Sequence, residues 1–383
     1  MAESEDIECY VKAKAPVNIA LVKYWGKVDE ALKIPLNDSL SGTLSIEDMC
    51  TTTSVFVSKN FSEDRLTLNG QDQSLSDVKN SPVTRMIEDM RKSSGACYSS
   101  CKVKIVTENN FPTAAGLASS ASGYACLAFA LGHVYGVSDT GRLSRIARKA
   151  SGSACRSMYG GFVHWVKGHD DESSFAYQVA DHHHWPDMRV LICVIGDDQK
   201  DVPSTSGMKR SVCSSALISH RASQIVPNRI SELKDAIKDR NFEKFADITM
   251  KDSNQFHAIC LDTFPPIMYL NETSKQIIKI CTAINQYYGV NKVAYTFDAG
   301  PNACIYLLDD YLPELILVLE KFFPVSGELE IRGRPDPTLP KSEEVQDLID
   351  HISSFARITP MGIKYLISTS IGEGPKLMEL SKK

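Results

Sequence analysis

Lys23 and Lys27 stand four apart in NIALVKYWGK, residues 18 to 27, flanking Tyr24 and Trp25, with Gly26 able to take a sharp bend. Two ammonium groups beside two amphipathic rings suit a diphosphate. The plain alternative is a strand end with solvated lysines and core-packed aromatics. In PTAAGLASSASG, residues 112 to 123, small residues around Gly116 leave backbone amides open just where Ser119 and Ser120 begin an apolar helix. That is what phosphate binding at a helix N-terminus requires: unpaired N–H groups, the positive end of the dipole and no bulky side chains. The hydroxyls can cap the helix, bind a phosphate oxygen or ligate Mg2+, and a simple N-cap with a glycine turn is the competing explanation. No GxxxxGK is present, so this is not a Walker loop.

SGSACRSMYGGF, residues 151 to 162, sets serines and glycines ahead of Arg156, whose guanidinium can grip a carboxylate in two-pronged fashion. Its alternative is a helix start capped by Ser151 with Arg156 on the surface. Cys155 has no histidine near it in sequence, so it is not proposed as a nucleophile. In YTFDAGPNA, residues 295 to 303, Asp298 ends a strand and enters a Gly-Pro-Asn loop, where a carboxylate can accept a proton or orient a hydroxyl. A lone Asp before Gly is otherwise a turn former.

The elements that must hold these segments form a mixed α+β pattern. Strands are expected across 11 to 23, 51 to 58 and 102 to 109. RLTLNG is read as the hairpin partner of the second, ending in the turn pair Asn69-Gly70. Residues 119 to 135 read as one buried helix, and the apolar restart at 185 to 195 marks a lobe junction. Helical periodicity then covers 228 to 261 in two segments, before strands on either side of DAGPN, a helix at PELILVLEKFF and a late strand at IKYLIST. The polar run 327 to 344 reads as a surface loop. With 383 residues, two lobes at 1–188 and 189–383 with a cleft between them are expected.

A net charge of −5 argues against nucleic acid as a partner. Eleven cysteines without CxxC spacing read as reduced thiols. The acidic start MAESEDIECY is unlike a secretory signal, and the longest apolar stretch, 125 to 137, is broken by Gly132 and His133. A cytoplasmic chain with no membrane association is the expectation. The run His182, His183, His184 is read as a solvated loop rather than a metal site, and the sequon at Asn271 as without meaning in that compartment.

The segment 112 to 121 resembles the phosphate-binding pattern PxxxGLxSSA of the GHMP kinase superfamily, matching at Pro112, Gly116, Leu117, Ser119, Ser120 and Ala121. Together with MKDSNQFHAICLDTFPPI at 250 to 267, the four segments are similar in order and spacing to the mevalonate diphosphate decarboxylase family over nearly the whole chain. The resemblance implies a two-lobe GHMP fold, with an N-terminal ribosomal-protein-S5-like lobe, a C-terminal ferredoxin-like lobe and a homodimer. It also implies a reaction of the mevalonate pathway of isoprenoid and sterol biosynthesis. There, (R)-5-diphosphomevalonate and ATP, with Mg2+, give isopentenyl diphosphate, ADP, phosphate and CO2.

On this resemblance Asp298 lies at the C3 hydroxyl as base or orienting group, Arg156 binds the C1 carboxylate with Asn18 holding it, and Lys23 sits near the reacting end. Tyr24, Trp25, Gly26 and Lys27, with Ser151, Gly152, Ser153, Ala154 and Cys155, cradle the substrate and its diphosphate. PSTSGM at 203 to 208 adds Ser204, Thr205 and Met208. ATP falls to Asn110, Pro112, Ala115, Gly116, Leu117, Ala118, Ser119 and Ser120, with Ser120 also at the metal. The chain reads NDSLSGTL where the family reads NSSxSVTL, so Asp38 and Gly42 depart from it, and Asp38 beside Ser39 and Ser41 either weakens substrate binding or faces solvent. The family's basic residue after the first hairpin aligns only loosely, with Lys79. A kinase that stops after phosphorylation and a non-catalytic binding protein of the same fold are the rival readings.

Overall fold

In the computed structural model, residues 6–73, 75, 81–94, 98–111, 119–196, 201–333 and 345–383 are described. Lys79 and residues 334–344 of the expected surface loop lie outside them. The chain is mixed α+β and builds three main sheets. A six-stranded sheet is ordered Lys376–Lys382, Cys9–Pro16, Cys50–Ser58, Lys102–Asn109, Arg65–Leu68, Gln71–Gln73. A four-stranded sheet runs Ala176–Ala180, Phe162–Trp165, Ser39–Thr43, Asn18–Val22. The second lobe has a five-stranded sheet: Val293–Phe297, Ala303–Leu308, Met188–Val194, Tyr365–Ser370, Ile331–Gly333.

Two expectations about pairing change. The stretch expected as one strand at 11 to 23 is two, Cys9–Pro16 and Asn18–Val22, which belong to different sheets. Asn69-Gly70 does make the tight turn, with both residues at positive φ, but it joins Arg65–Leu68 to Gln71–Gln73. Arg65–Leu68 then lies parallel to Lys102–Asn109, which itself occupies the free edge of Cys50–Ser58. The expected hairpin with 51 to 58 therefore does not form. The last strand, Lys376–Lys382, leaves the segment assigned to the second lobe and pairs antiparallel with Cys9–Pro16.

The helix Ser119–Tyr135 forms where expected and buries Ala125, Ala128 and Leu131 against the six-stranded sheet. Its alanines bring helix and sheet backbones close. In the second lobe the run MRVLICV is apolar apart from Arg189, which pairs with Asp309, because both faces of the strand are covered. Met188, Val190, Ile192 and Val194 enter one core, whereas Leu191 and Cys193 enter another, beneath the helices Glu272–Tyr288 and Leu312–Phe322. The first of these cores also contains Ile19, Leu21, Leu40 and Phe162 from the four-stranded sheet and Phe245 from the helix Phe242–Asp262. The two lobes thus share an apolar core, which fixes the cleft floor. The Asn271 side chain caps Glu272–Tyr288 in a capping box, a local structural use for that residue. His184 of the histidine run places Nε2 on the Ile237 carbonyl at 2.8 Å.

Both departures from the family pattern have structural partners. Asp38 turns to His164, with Oδ2 2.9 Å from Nε2, and its other oxygen accepts the Lys167 N–H at 2.9 Å. Burial works to raise its pKa, but these hydrogen bonds hold the carboxyl below its ordinary range. At Gly42 a Cβ would sit 2.8 Å from Ile371 Cδ1 and 3.1 Å from the Tyr306 hydroxyl, so neighbouring side chains fill the space a valine would take.

The helix Phe242–Asp262 carries polar groups into this interior. His257 is buried and its Nε2 has no hydrogen-bond partner. Burial, then the charge of Lys23, pushes its imidazole down to about 3, against the opposing pull of the Phe297 backbone and Asp298. Below pH 6.5 the unfolded chain takes up a proton here that the folded chain refuses. This contribution to stability is whole above that pH and falls by about 1 kcal/mol per unit as the pH drops toward 3. Urea unfolding of His257→Gln between pH 7 and 5 should show a shallower acid loss of stability than the parent; parallel curves would contradict this.

Candidate active site

A cavity of about 230 Å3 lies where the lobes meet. Among the described residues its walls carry four cationic side chains, Lys23, Lys27, Lys33 and Arg156, against one carboxylate, Asp298. That balance selects an anionic ligand. Lys23 follows the strand Asn18–Val22 of the first lobe, and Asp298 follows Val293–Phe297 of the second. They meet with Nζ 2.6 Å from Oδ1, at side-chain exposures of 3% and 28%.

The Asp298 loop is fixed from behind. Ser253 Oγ accepts the Phe297 N–H at 3.0 Å, Ser274 Oγ donates to the Pro301 carbonyl, and Asn302 accepts the N–H groups of Ile195 and Gly196.

Arg156 is not on the surface. Ser151 ends the helix Thr140–Ala150, and a 3-10 helix, Gly152–Met158, carries Arg156 inward to 2% exposure. Its Nε donates to Asn18 Oδ1 at 3.1 Å and its Nη1 to Ser39 Oγ, so the planar group is oriented by the four-stranded sheet. Asn18 is in turn held by donating to Ser157 Oγ at 2.8 Å and the Ser153 carbonyl at 3.1 Å. Burial pulls the guanidinium pKa below its usual value. An arginine keeps its charge through such a shift.

Tyr24, Ser151, Gly152 and Ser153 also line the cavity. The Tyr24 hydroxyl is buried with no protein partner, a donor left for a ligand oxygen. Burial raises its pKa, which keeps it protonated. Trp25 lies between the lobes, its Nε1 donating to Ser211 Oγ at 2.9 Å and its ring packing edge-on against Phe256 at 4.8 Å. Ser204, Thr205 and Met208 close that side, the first two opening the helix Ser204–Ser214. Lys27 shares Glu30 with Lys33, at 3.0 Å and 3.6 Å.

Ser119 and Ser120 link this cavity to a second one of about 260 Å3, lined mainly by Leu66, Leu68, Val83, Ile105 and Leu127, with Thr107 and Asn109 at its polar edge. Ser120 Oγ lies 3.3 Å from Ser151 Oγ, so the helix N-terminus and the Arg156 segment converge.

Several expected site residues stand elsewhere. Asn110 lines neither cavity; its amide braces the Cys50 N–H and the Asp48 carbonyl, because it sits at the end of a strand pair. Ala154 and Cys155 point into the core, and the Cys155 thiol donates to the Gly152 carbonyl. Gly26 supplies a turn at φ +92, where a Cβ would strike Val212 and Leu36, and does not line the cavity. Pro112, Ala115, Gly116, Leu117 and Ala118 lie outside the described residues. Sequence reasoning missed Ala20, Lys33, Ala150, Phe256 and Ala299 as lining residues. Phe256 lies inside the family-like segment at 250 to 267, whereas nothing local distinguishes Lys33.

Residues 15–176 match the model of the diphosphomevalonate decarboxylase-like N-terminal domain, and residues 190–378 that of the mevalonate 5-diphosphate decarboxylase C-terminal domain. The chain is 50% identical to diphosphomevalonate decarboxylase of Danio rerio, over 98% of this chain and 94% of the relative. It superposes on mevalonate diphosphate decarboxylase from Trypanosoma brucei with a TM-score of 0.85 at 36% identity, covering 97% of this chain and 98% of that one. It also superposes on a solved complex of MDDEF with MVAPP, AMPPCP and magnesium, with a TM-score of 0.74 at 32% identity, covering 97% and 99%. Both halves are matched in order and the fold is shared from end to end, so the chain belongs to the diphosphomevalonate decarboxylase family.

Proposed function

We propose that this protein catalyses the ATP-dependent decarboxylation of (R)-5-diphosphomevalonate to isopentenyl diphosphate, with ADP, phosphate and CO2, in the mevalonate pathway. The observation that carries the reading is the meeting of Lys23 and Asp298 from opposite lobes beside Arg156, in a cation-lined cavity that continues past Ser120 into an apolar pocket.

The substrate carries a carboxylate at one end and a diphosphate at the other, with a tertiary hydroxyl between. Arg156, oriented by Asn18 and Ser39, grips the carboxylate, and Lys27, Lys33, Tyr24 and the Ser151–Ser153 turn take the diphosphate. Asp298 then faces the C3 hydroxyl and orients or deprotonates it, while Lys23 holds the Asp298 carboxylate in place. The apolar pocket takes the nucleotide base, and the Ser119 helix N-terminus takes its phosphates. Once the C3 oxygen is phosphorylated it is a good leaving group. Its departure draws electrons from the carboxylate as CO2 leaves, so no carbanion sink is needed.

No group of three His, Cys, Asp or Glu side chains suited to a metal occurs among the described residues. The donor set fits an ion held by phosphate oxygens and water with one protein hydroxyl, Ser120, which is how Mg2+ is commonly bound. Bound there, Mg2+ would neutralise charge on the phosphates.

The same reading divides the lobes near residues 188 and 189, with Lys376–Lys382 returned to the first lobe, and takes the enzyme as a cytoplasmic homodimer. In support of the compartment, the ten described cysteines are all free thiols, and no helix among the described residues is long and apolar enough to cross a membrane.

With Mg2+-ATP and diphosphomevalonate labelled at C1, the purified protein should release ADP and labelled CO2 in equal amounts; ADP without CO2 would instead indicate a kinase and overturn the reading. Asp298→Ala should retain ligand binding within a few-fold but lower kcat by about a thousandfold, and a near-normal rate would remove Asp298 from the mechanism.

A further inference from the structure

Lys23 follows the end of its strand, yet both polar groups of its peptide are held, and mostly by the opposite lobe. Its N–H donates to Asp252 Oδ1 at 2.8 Å. Its carbonyl accepts from Arg221 Nη2 at 3.1 Å and from Asn37 Nδ2 at 3.0 Å. Arg221 forks onto the same carboxylate, with Nη2 2.8 Å from Oδ1 and Nη1 2.9 Å from Oδ2, and Arg229 closes the second oxygen at 2.9 Å. Asp252 is 0% exposed and Arg221 1%. Arg221 begins a π-helical turn, Arg221–Ile225, an irregularity frequent at functional sites. The next residue on the Asp252 helix, Ser253, accepts the N–H of Phe297, directly before Asp298. Two consecutive residues of one helix therefore reach the backbone at both members of the Lys23–Asp298 pair.

A buried ion pair is a poor source of net stability, because desolvation consumes most of its Coulombic gain and a well-packed apolar replacement is often as stable. What it supplies is direction: the carboxylate and the guanidinium are locked to each other in bidentate fashion, and each also reaches the Lys23 peptide.

We infer that Asp252 and Arg221 form a positioning device that sets Lys23 against Asp298 across the lobe interface. This rests on the roles given above to Lys23 and Asp298. Neither residue of the device lines the cavity, so neither touches substrate. Their effect passes through the placement of Lys23, where an error of about 1 Å can cost about a hundredfold in rate.

A double-mutant cycle on kcat separates positioning from mere support of the fold. Arg221→Lys keeps the charge opposite Asp252 but removes the fork, and should lower kcat by about ten- to a hundredfold, with the KM for ATP close to that of the parent. Lys23→Met should be far slower than the parent, and adding Arg221→Lys to it should change kcat by less than about threefold, because both changes remove one function. Losses that multiply in the double variant, or a folded Arg221→Lys enzyme with the parent's kcat, would overturn the positioning role and leave the assignment of Lys23 intact. A Lys23→Met enzyme near the parental rate would overturn that assignment, and the inference with it. If Arg221→Lys does not fold, Asp252→Asn takes its place in the same cycle and is judged by the same outcomes.

Discussion

A buried ammonium group needs a counter-charge, because an ion withdrawn from water without one is too costly to keep. Lys23 finds that charge in Asp298, 275 residues later in the chain and on the other lobe. The pair exists only when the four-stranded sheet of the first lobe and the five-stranded sheet of the second lie side by side. The apolar core shared by Ile19, Leu21, Phe245 and Tyr306 keeps them there. The reactive geometry is thus a consequence of interlobe packing, and each lobe alone would present half of it.

The rest of the cavity follows from the same arrangement. Once the lobes are docked, Trp25 is inserted against Phe256 and Tyr269, which carries Tyr24 to the cavity wall. Arg156 is held on the first lobe by Asn18 and Ser39, and so faces Asp298 across a fixed gap. Among the described residues cations outnumber carboxylates on the walls, which suits a substrate anionic at both ends.

Much of this was legible in local sequence because it rests on local causes. The helix from Ser119, the Asn69-Gly70 turn and the doubly covered run at 188 to 194 each have a short-range signature in small residues, turn chemistry or an apolar run interrupted only at Arg189. The motifs around Lys23, Ser120, Arg156 and Asp298 were visible in the same way, and their side chains converge on one cavity. Pairing was not legible. Nothing in RLTL says that it lies parallel to Lys102–Asn109, and Lys376–Lys382 is an edge strand exposed except at the half-buried Leu377, so its alternation carries little signal. The support of Lys23 by Arg221 and Asp252 was hidden for the same reason, since these partners lie 198 and 229 residues from Lys23 in the chain and meet it only through the docking of two lobes. Asn110, Ala154 and Cys155 line neither cavity, because adjacency to a motif does not decide which way a side chain points.

The chemistry depends on where the substrate's acid and alcohol sit relative to Arg156 and Asp298. A crystal structure with diphosphomevalonate and a non-hydrolysable ATP analogue measures this directly. The C1 carboxylate should rest on the Arg156 guanidinium, the C3 hydroxyl about 3 Å from the Asp298 carboxylate, and the terminal phosphate of the nucleotide on the same side as Ser120. A substrate bound with its carboxylate away from Arg156, or its tertiary hydroxyl turned from Asp298, would contradict it.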